Sequence, residues 1–177
     1  MEEMIFTAQE LGFSHACLID TSEIPFEPAF RICCEDNLCG QYGANWSCPP
    51  ECGTTEEMER KIKAYPRALV LQTMWDIDYD DGPAIKRTKG EHNRRTRELI
   101  ARYEKRTRGF MVGASGCGLC EVCAIKEGQP CRFPDRMASC MSAYCIYVKK
   151  LAERCGMEYD SGPGIVNFFG MYVFEEI

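Results

Sequence analysis

At 177 residues, with 45% of them apolar, the chain is long enough for a globular fold with its own core. A formal net charge of −6 gives no support to general nucleic-acid binding, and no apolar run approaches the ~18 residues needed to span a bilayer. Thirteen cysteines against two histidines, His15 and His92, exclude a His-rich metal site and leave thiolate as the only abundant soft ligand.

The elements predicted from periodicity and punctuation alternate between helix and strand. Residues 2–12 read as a short helix with Met4, Ile5, Ala8 and Leu11 on one side and Gly12 as its stop. His15 to Ile19 reads as a strand, and a cysteine-bearing loop runs from there to about Gly53. Thr54 and Glu57 form a capping box, and the helix they open carries Met58, Ile62 and Tyr65 inward and ends near Pro66. Ala68 to Met74 is a buried strand, Asp76 to Pro83 an acidic turn region, and 84–107 a long helix with Leu99, Ile100 and Tyr103 on its apolar side. Gly109 to Ala114 is a short strand leading into a second cysteine group. Residues 142–155 read as a helix started by Ser142 and stopped by Gly156, with Val148, Leu151, Ala152 and Cys155 inward. Ile165 to Phe174 closes the chain as a strand.

This alternation predicts one α/β or α+β domain over residues 1–177, with about four strands, flanking helices and two cysteine-rich metal loops. Both cysteine groups follow a strand. If the two strands run parallel in one sheet, both groups sit at its carboxyl edge and become neighbours in space.

The second cysteine group is the sharper signal. Cys117, Cys120 and Cys123 recur at every third residue, and Cys131 follows in Pro130-Cys131-Arg132. Three thiolates at i, i+3 and i+6 wrap one corner of an iron–sulfide cubane, as in bacterial-type ferredoxins. Zinc sites more often assemble from two separate Cys-x-x-Cys pairs. The set of four is a plausible complete ligand shell, although in two-cluster ferredoxins the last cysteine of a run serves the other cluster.

The first group offers Cys33, Cys34, Cys39, Cys48 and Cys52 within twenty residues. Pro49 after Cys48 turns the chain sharply away from a metal, and Trp46 and Tyr42 are placed to shield one from water. Cys131 is one candidate to complete a site begun by Cys34, Cys39 and Cys48. Cys140 and Cys145 are second-rank candidates, equally explained as packing at the start of a helix, and Cys17 and Cys155 fall in apolar elements as core residues. Zinc-stabilised loops or buried free thiols are the plainer readings of the first group.

Gly109-x3-Gly113-x2-Gly116 lacks the spacing of a dinucleotide fingerprint and reads instead as backbone passing close to a cluster. Residues 86–108 hold ten Lys or Arg and three Glu, either a solvated helix face or a docking face for an acidic redox partner. Arg132 and Arg136 are candidates to hydrogen-bond near a cluster, to hold a substrate carboxylate, or to form structural ion pairs.

The pattern Cys34-x4-Cys39-Gly-x-Tyr42-Gly43-x4-Cys48-Pro49-Pro50, followed by Cys117-x2-Cys120-x2-Cys123, Pro130-Cys131-Arg132-x-Pro134 and the stretch Ser139 to Val148, resembles an uncharacterised prokaryotic family of predicted metal-binding proteins, domain of unknown function 2284. The resemblance covers nearly the whole chain. It implies metal at Cys34, Cys39, Cys48, Cys117, Cys120, Cys123 and Cys131, sets Cys33, Cys52, Cys140 and Cys145 aside, and leaves the fourth ligand of the first site open.

The expectation is a cytoplasmic iron–sulfur protein carrying two [4Fe–4S] clusters and passing electrons to a partner in anaerobic metabolism. The acidic start Met1-Glu2-Glu3-Met4 lacks the pattern of a secretory signal. Two alternatives stand beside it: an enzyme whose three-thiolate cluster leaves an iron open to substrate, and a zinc-stabilised interaction module.

Overall fold

Leu69 and Leu71 point to one side of their strand and Ala68 and Val70 to the other, yet all four are completely buried. A strand apolar on both faces needs a layer on each, and the computed structural model, which describes residues 2–177, supplies both. Its elements are α1 Glu2–Glu10, β1 His15–Asp20, α2 Arg31–Glu35, α3 Thr55–Lys63, β2 Arg67–Asp76, α4 Gly82–Tyr103, β3 Thr107–Val112, α5 Val148–Arg154 and β4 Ile165–Glu176. The fold is α+β, built on one four-stranded antiparallel sheet of order β1-β2-β4-β3.

One face of the sheet packs under α1 and α4, where Met4, Ala8, Leu99 and Tyr103 meet Leu69, Leu71, Tyr172 and Phe174. The other face carries Ala68, Val70, Val112, Met171 and Val173 against Met58 and Ile62 of α3 and Leu151 and Ala152 of α5. Met141, Ala143, Tyr144 and Ile146 complete that second core, so the segment before α5 is itself a packed layer. Fully burying each such side chain contributes about 1.5–3 kcal/mol.

Local chemistry explains the boundaries. Thr54 caps α3 by accepting from the Glu57 amide, and the Glu57 carboxylate accepts from the Thr54 amide at 2.8 Å. Asp81 accepts from the Ala84 amide at 2.9 Å, so the acidic turn is shorter than predicted and α4 opens at Gly82. The long helix ends at Tyr103 rather than 107, because Thr107 is already paired with Glu176 in the sheet. The helix predicted over 142–155 is confined to Val148–Arg154: Cys145 holds φ at +54°, a left-handed residue that a right-handed helix cannot contain. The first loop, expected to be irregular, contains α2, which carries Cys33 and Cys34.

The parallel arrangement expected of the two strands that precede the cysteine groups does not occur. The cross-sheet registers Asp20↔Arg67, Arg67↔Phe174 and Gly109↔Phe174 set the end of β1 at the same edge as the start of β3. The groups meet by another route. Phe26 bridges Ile146, and the Glu27 amide donates to the Cys145 carbonyl at 2.8 Å, which seats the first loop on the segment before α5. That segment is tied to the chain leaving β3 by the parallel bridge Gly113↔Cys140.

Candidate metal centre

Beyond Val112 the chain runs through Gly113–Gly116 into the second cysteine group, and its course is set by α4. Asn93, buried on that helix, accepts from the Ala114 amide at 2.9 Å and donates to the Ser115 hydroxyl at 3.0 Å. From the first loop, Ser47 accepts from the Cys117 amide at 2.9 Å, and Asn45 donates to the Cys117 carbonyl at 3.2 Å. The Ser47 hydroxyl in turn donates to Asn45 Oδ1 at 3.0 Å. This polar clasp holds the two cysteine groups against each other. At Gly116 a Cβ would lie 3.3 Å from Cys48 Sγ, so glycine lets the backbone pass beside that thiol. Gly109 answers a different need: a Cβ there would stand 2.0 Å from the Val173 carbonyl oxygen, inside the sheet and away from the cysteines.

Two cavities result. Cys117, Cys120, Cys123 and Cys131 all line one of about 520 Å³, with Trp46, Phe133, Lys86, Lys126, Arg132 and Glu121 on its walls. Cys33, Cys34, Cys39, Cys48 and Cys140 line the other, the first cavity by chain order, of about 320 Å³, with Tyr42, Pro49 and Lys89. Gln41, Ser115 and Gly116 border both, so one thin wall separates them.

Of the cysteines singled out from sequence, Cys131 thus joins its own run rather than the first group. Cys33 and Cys140, which the family resemblance set aside, stand with Cys34, Cys39 and Cys48. Cys52 and Cys145 lie off both cavities; burial raises both thiols against the opposing charge of Arg31, whose guanidinium donates to the Ala143 carbonyl at 3.1 Å. Cys17 and Cys155 pack against the core as partly buried side chains. Trp46, expected over the first group, lines the second cavity and donates to the Gln129 carbonyl at 3.1 Å. Arg136 lies over the Phe133 ring at 5.9 Å, and only its carbonyl takes part, accepting from Arg97 at 3.0 Å.

Three thiols of the first cavity, Cys34, Cys48 and Cys140, resist ionisation. Burial pushes Cys34 up to about 11, and a neighbouring Cys140 thiolate adds to the effect while Arg31 opposes it. Burial likewise pushes Cys48 up to about 12, again reinforced by Cys140 and partly offset by the Ser47 hydroxyl. Cys140 is raised by burial although the amides of Ala143, Ser142 and Cys140 favour its thiolate. Thiolates that repel one another in a desolvated space need a cation among them, and a bound metal provides it. At the second cavity the compensation comes partly from the protein: Lys86, Lys126 and Arg132 stand on its walls. Among the described residues no three His, Cys, Asp or Glu side chains converge closely enough to hold a single metal ion. The thiols stand around spaces instead of meeting at a point, and soft donors in this number fit a thiolate-bound metal or iron–sulfur group. Such a group, when bound, supplies Lewis-acid or one-electron chemistry; the chain supplies the thiolates, the donors to them and the exclusion of water.

Sequence reasoning passed over Asn45, Ser47, Asn93, Arg31 and Arg97. The first two carried a local signal, being short polar residues at a turn inside a cysteine loop. The other three are meaningful only through contacts made far along the chain.

An α+β scaffold that brings nine thiols around two adjoining cavities defines a cysteine-rich metal-binding protein. Residues 17–174 match the family described as predicted metal-binding protein (DUF2284), and the chain belongs to that family. No curated protein and no solved structure matches it. Among the described residues no helix is long and apolar enough to cross a membrane.

Proposed function

We propose that the chain is a cytoplasmic iron–sulfur protein of anaerobic metabolism that holds two [4Fe–4S] clusters and passes single electrons to a partner. Cys34, Cys39, Cys48 and Cys140 bind one cluster, and Cys117, Cys120, Cys123 and Cys131 bind the other. The observation that carries this reading is the pair of cavities, one lined by five thiols and the other by four, sharing the wall Ser115–Gly116. A tetrahedral zinc site draws its sulfurs to about 2.3 Å from one ion. Cavities of about 320 and 520 Å³ leave room for a larger core. Cys140 and Cys33 both line the first site beside Cys34, Cys39 and Cys48, and a fourth thiol, taken here as the more buried Cys140, favours a closed, electron-carrying cluster over one with an iron open to substrate.

Charge supports a docking face for an acidic partner on the first turns of α4. Arg94, Arg95, Arg102, Arg106 and Arg108 all pair with glutamates. Lys86 and Lys89 border the two cavities and form no ion pair among the described residues. Leu38, 94% exposed, sits on the rim of the first cavity as an apolar contact. Complementary charge there accelerates encounter in a salt-dependent way.

Anaerobic purification with iron, sulfide and zinc analysis tests the reading. Roughly eight irons and eight sulfides per chain, with a broad visible absorption, are expected for two cubanes. Stoichiometric zinc without sulfide overturns it in favour of a structural zinc module.

A further inference from the structure

A short chain of polar atoms joins the two thiol sets. Cys48, on the first cavity, has its Sγ 3.9 Å from the Ser47 hydroxyl oxygen. That oxygen accepts from the amide of Cys117, on the second cavity, at 2.9 Å. A single oxygen therefore lies between the sulfur of one set and the main chain of a residue in the other. A parallel branch runs through Asn45. The Ser47 hydroxyl donates to Asn45 Oδ1 at 3.0 Å, and the Cys123 thiol reaches the same oxygen at 3.8 Å. Asn45, Ser47 and Cys48 are all buried. Gly116, beside Cys117, passes so close that a Cβ there would lie 3.3 Å from Cys48 Sγ.

The Ser47 hydroxyl carries one proton and has two acceptors within reach, Asn45 Oδ1 and Cys48 Sγ. Its oxygen is held in place by the Cys117 amide. Asn45 is held too: its Nδ2 donates to the Cys117 carbonyl at 3.2 Å, and its Oδ1 accepts from the Ser47 amide at 3.0 Å. Turning the hydroxyl from one acceptor to the other moves a dipole toward or away from Cys48. In a buried place that dipole acts strongly, and a hydrogen bond to a ligand sulfur favours the more negative state. We infer that Ser47, with Asn45, is the bridge by which single electrons pass between the two thiol-held groups, so that the chain works as a two-site relay. This rests on the two-cluster reading above. One electron leaves the reduced group of one set and enters the oxidised group of the other; the first is oxidised and the second reduced by one. No bond forms or breaks, and the hydroxyl proton stays on its oxygen. The hydroxyl turns to Cys48 when the charge is on the first site and back to Asn45 when it is on the second. Ser47 and Asn45 act as positioning residues, touching ligand residues of both sites.

The test uses the metal-loaded full chain, held anaerobically and reduced by one electron per chain. Nuclear magnetic resonance reads the hyperfine-shifted protons of the ligating cysteines in the parent, Ser47→Ala, Ser47→Thr and Asn45→Ala. In the parent each such proton is expected to give one line between its oxidised and reduced positions, unchanged on dilution because the exchange lies within the chain. In Ser47→Ala the exchange slows, and each line splits into separate oxidised and reduced lines. Ser47→Thr keeps the hydroxyl and restores the averaged line. Separate lines in the parent, averaging that disappears on dilution, or an averaged line in Ser47→Ala each overturn the inference. If Ser47→Ala fails to retain its clusters, Asn45→Ala decides by the same criterion, since it removes the acceptor to which the hydroxyl turns. Loss of clusters from both variants also overturns it, because the clasp is then a structural tie alone. Iron and sulfide analysis of the parent reports separately on the two-cluster reading. Full cluster content without exchange removes only the bridge, and zinc without sulfide removes both.

Discussion

Cys117, Cys120, Cys123 and Cys131 come from one stretch of fifteen residues, whereas Cys34, Cys39, Cys48 and Cys140 come from α2, the loop after it and a turn on the far side of the sheet's last connections. The second site is a local loop. The first is assembled from distant parts, and burial pushes up the thiols of Cys34, Cys48 and Cys140 within it. A metal in the first site therefore fastens the fold, and a metal in the second mainly orders its own loop.

The largest expected effect breaks that contrast directly. Treating a bound metal as a cross-link, closing a loop on the order of 100 residues contributes about 4.7 kcal/mol, against about 3 kcal/mol for one of roughly 15. Cys140→Ser and Cys131→Ser are each expected to lower iron content by about half, and Cys140→Ser is expected to lower unfolding stability further, by about 1–2 kcal/mol. Denaturant unfolding beside metal analysis checks this; equal losses would make both sites local.

Acid comes next, because it acts on α4, the helix that carries the shared wall. His92 is fully buried, with Nδ1 at 2.8 Å from the Thr73 hydroxyl and its ring edge-on to Phe13. Burial, helped by the charge of Arg95, pushes its pKa down to about 3 from 6.5. Its contribution is complete above pH 6.5. Below that the unfolded chain takes up a proton that folded His92 refuses, so stability falls by about 1.4 kcal/mol per pH unit towards pH 3, roughly 2 kcal/mol by pH 5. His92→Gln is expected to show a shallower loss between pH 7 and 5 in urea unfolding.

Asn93→Ala sharpens the comparison from the same helix. It strips the Ala114 amide and the Ser115 hydroxyl of their partner, a loss of about 1–3 kcal/mol, and loosens the wall common to both cavities. Metal content is expected to fall at both sites together, in contrast to the one-site losses of the cysteine variants. Glu98→Gln gives the smallest effect. Its pairs with Arg94 and Arg102 are solvent-exposed, so metal content and the urea midpoint are expected to stay within experimental scatter.

Much of this molecule was legible in its sequence because the signals were local. The capping box at Thr54 and Glu57, the periodicity of Met58 and Ile62 and the continuous apolar run through β2 each act within a few residues, and each element is present. The tandem run Cys117, Cys120, Cys123 with Cys131 also gathers at one cavity, since its spacing alone brings the thiols to one side of a loop.

What only the tertiary structure decided has one physical origin: a contact between residues far apart in sequence leaves no periodicity to read. The antiparallel pairing of all four strands is such a contact, and so is the bridge Gly113↔Cys140, which delivers Cys140 to a cavity begun a hundred residues earlier. The left-handed turn at Cys145 that cuts the last helix short is held by the same packing. Sequence supplied the thiols and the secondary structure; the sheet and the segment folded over it determined which thiols face one another.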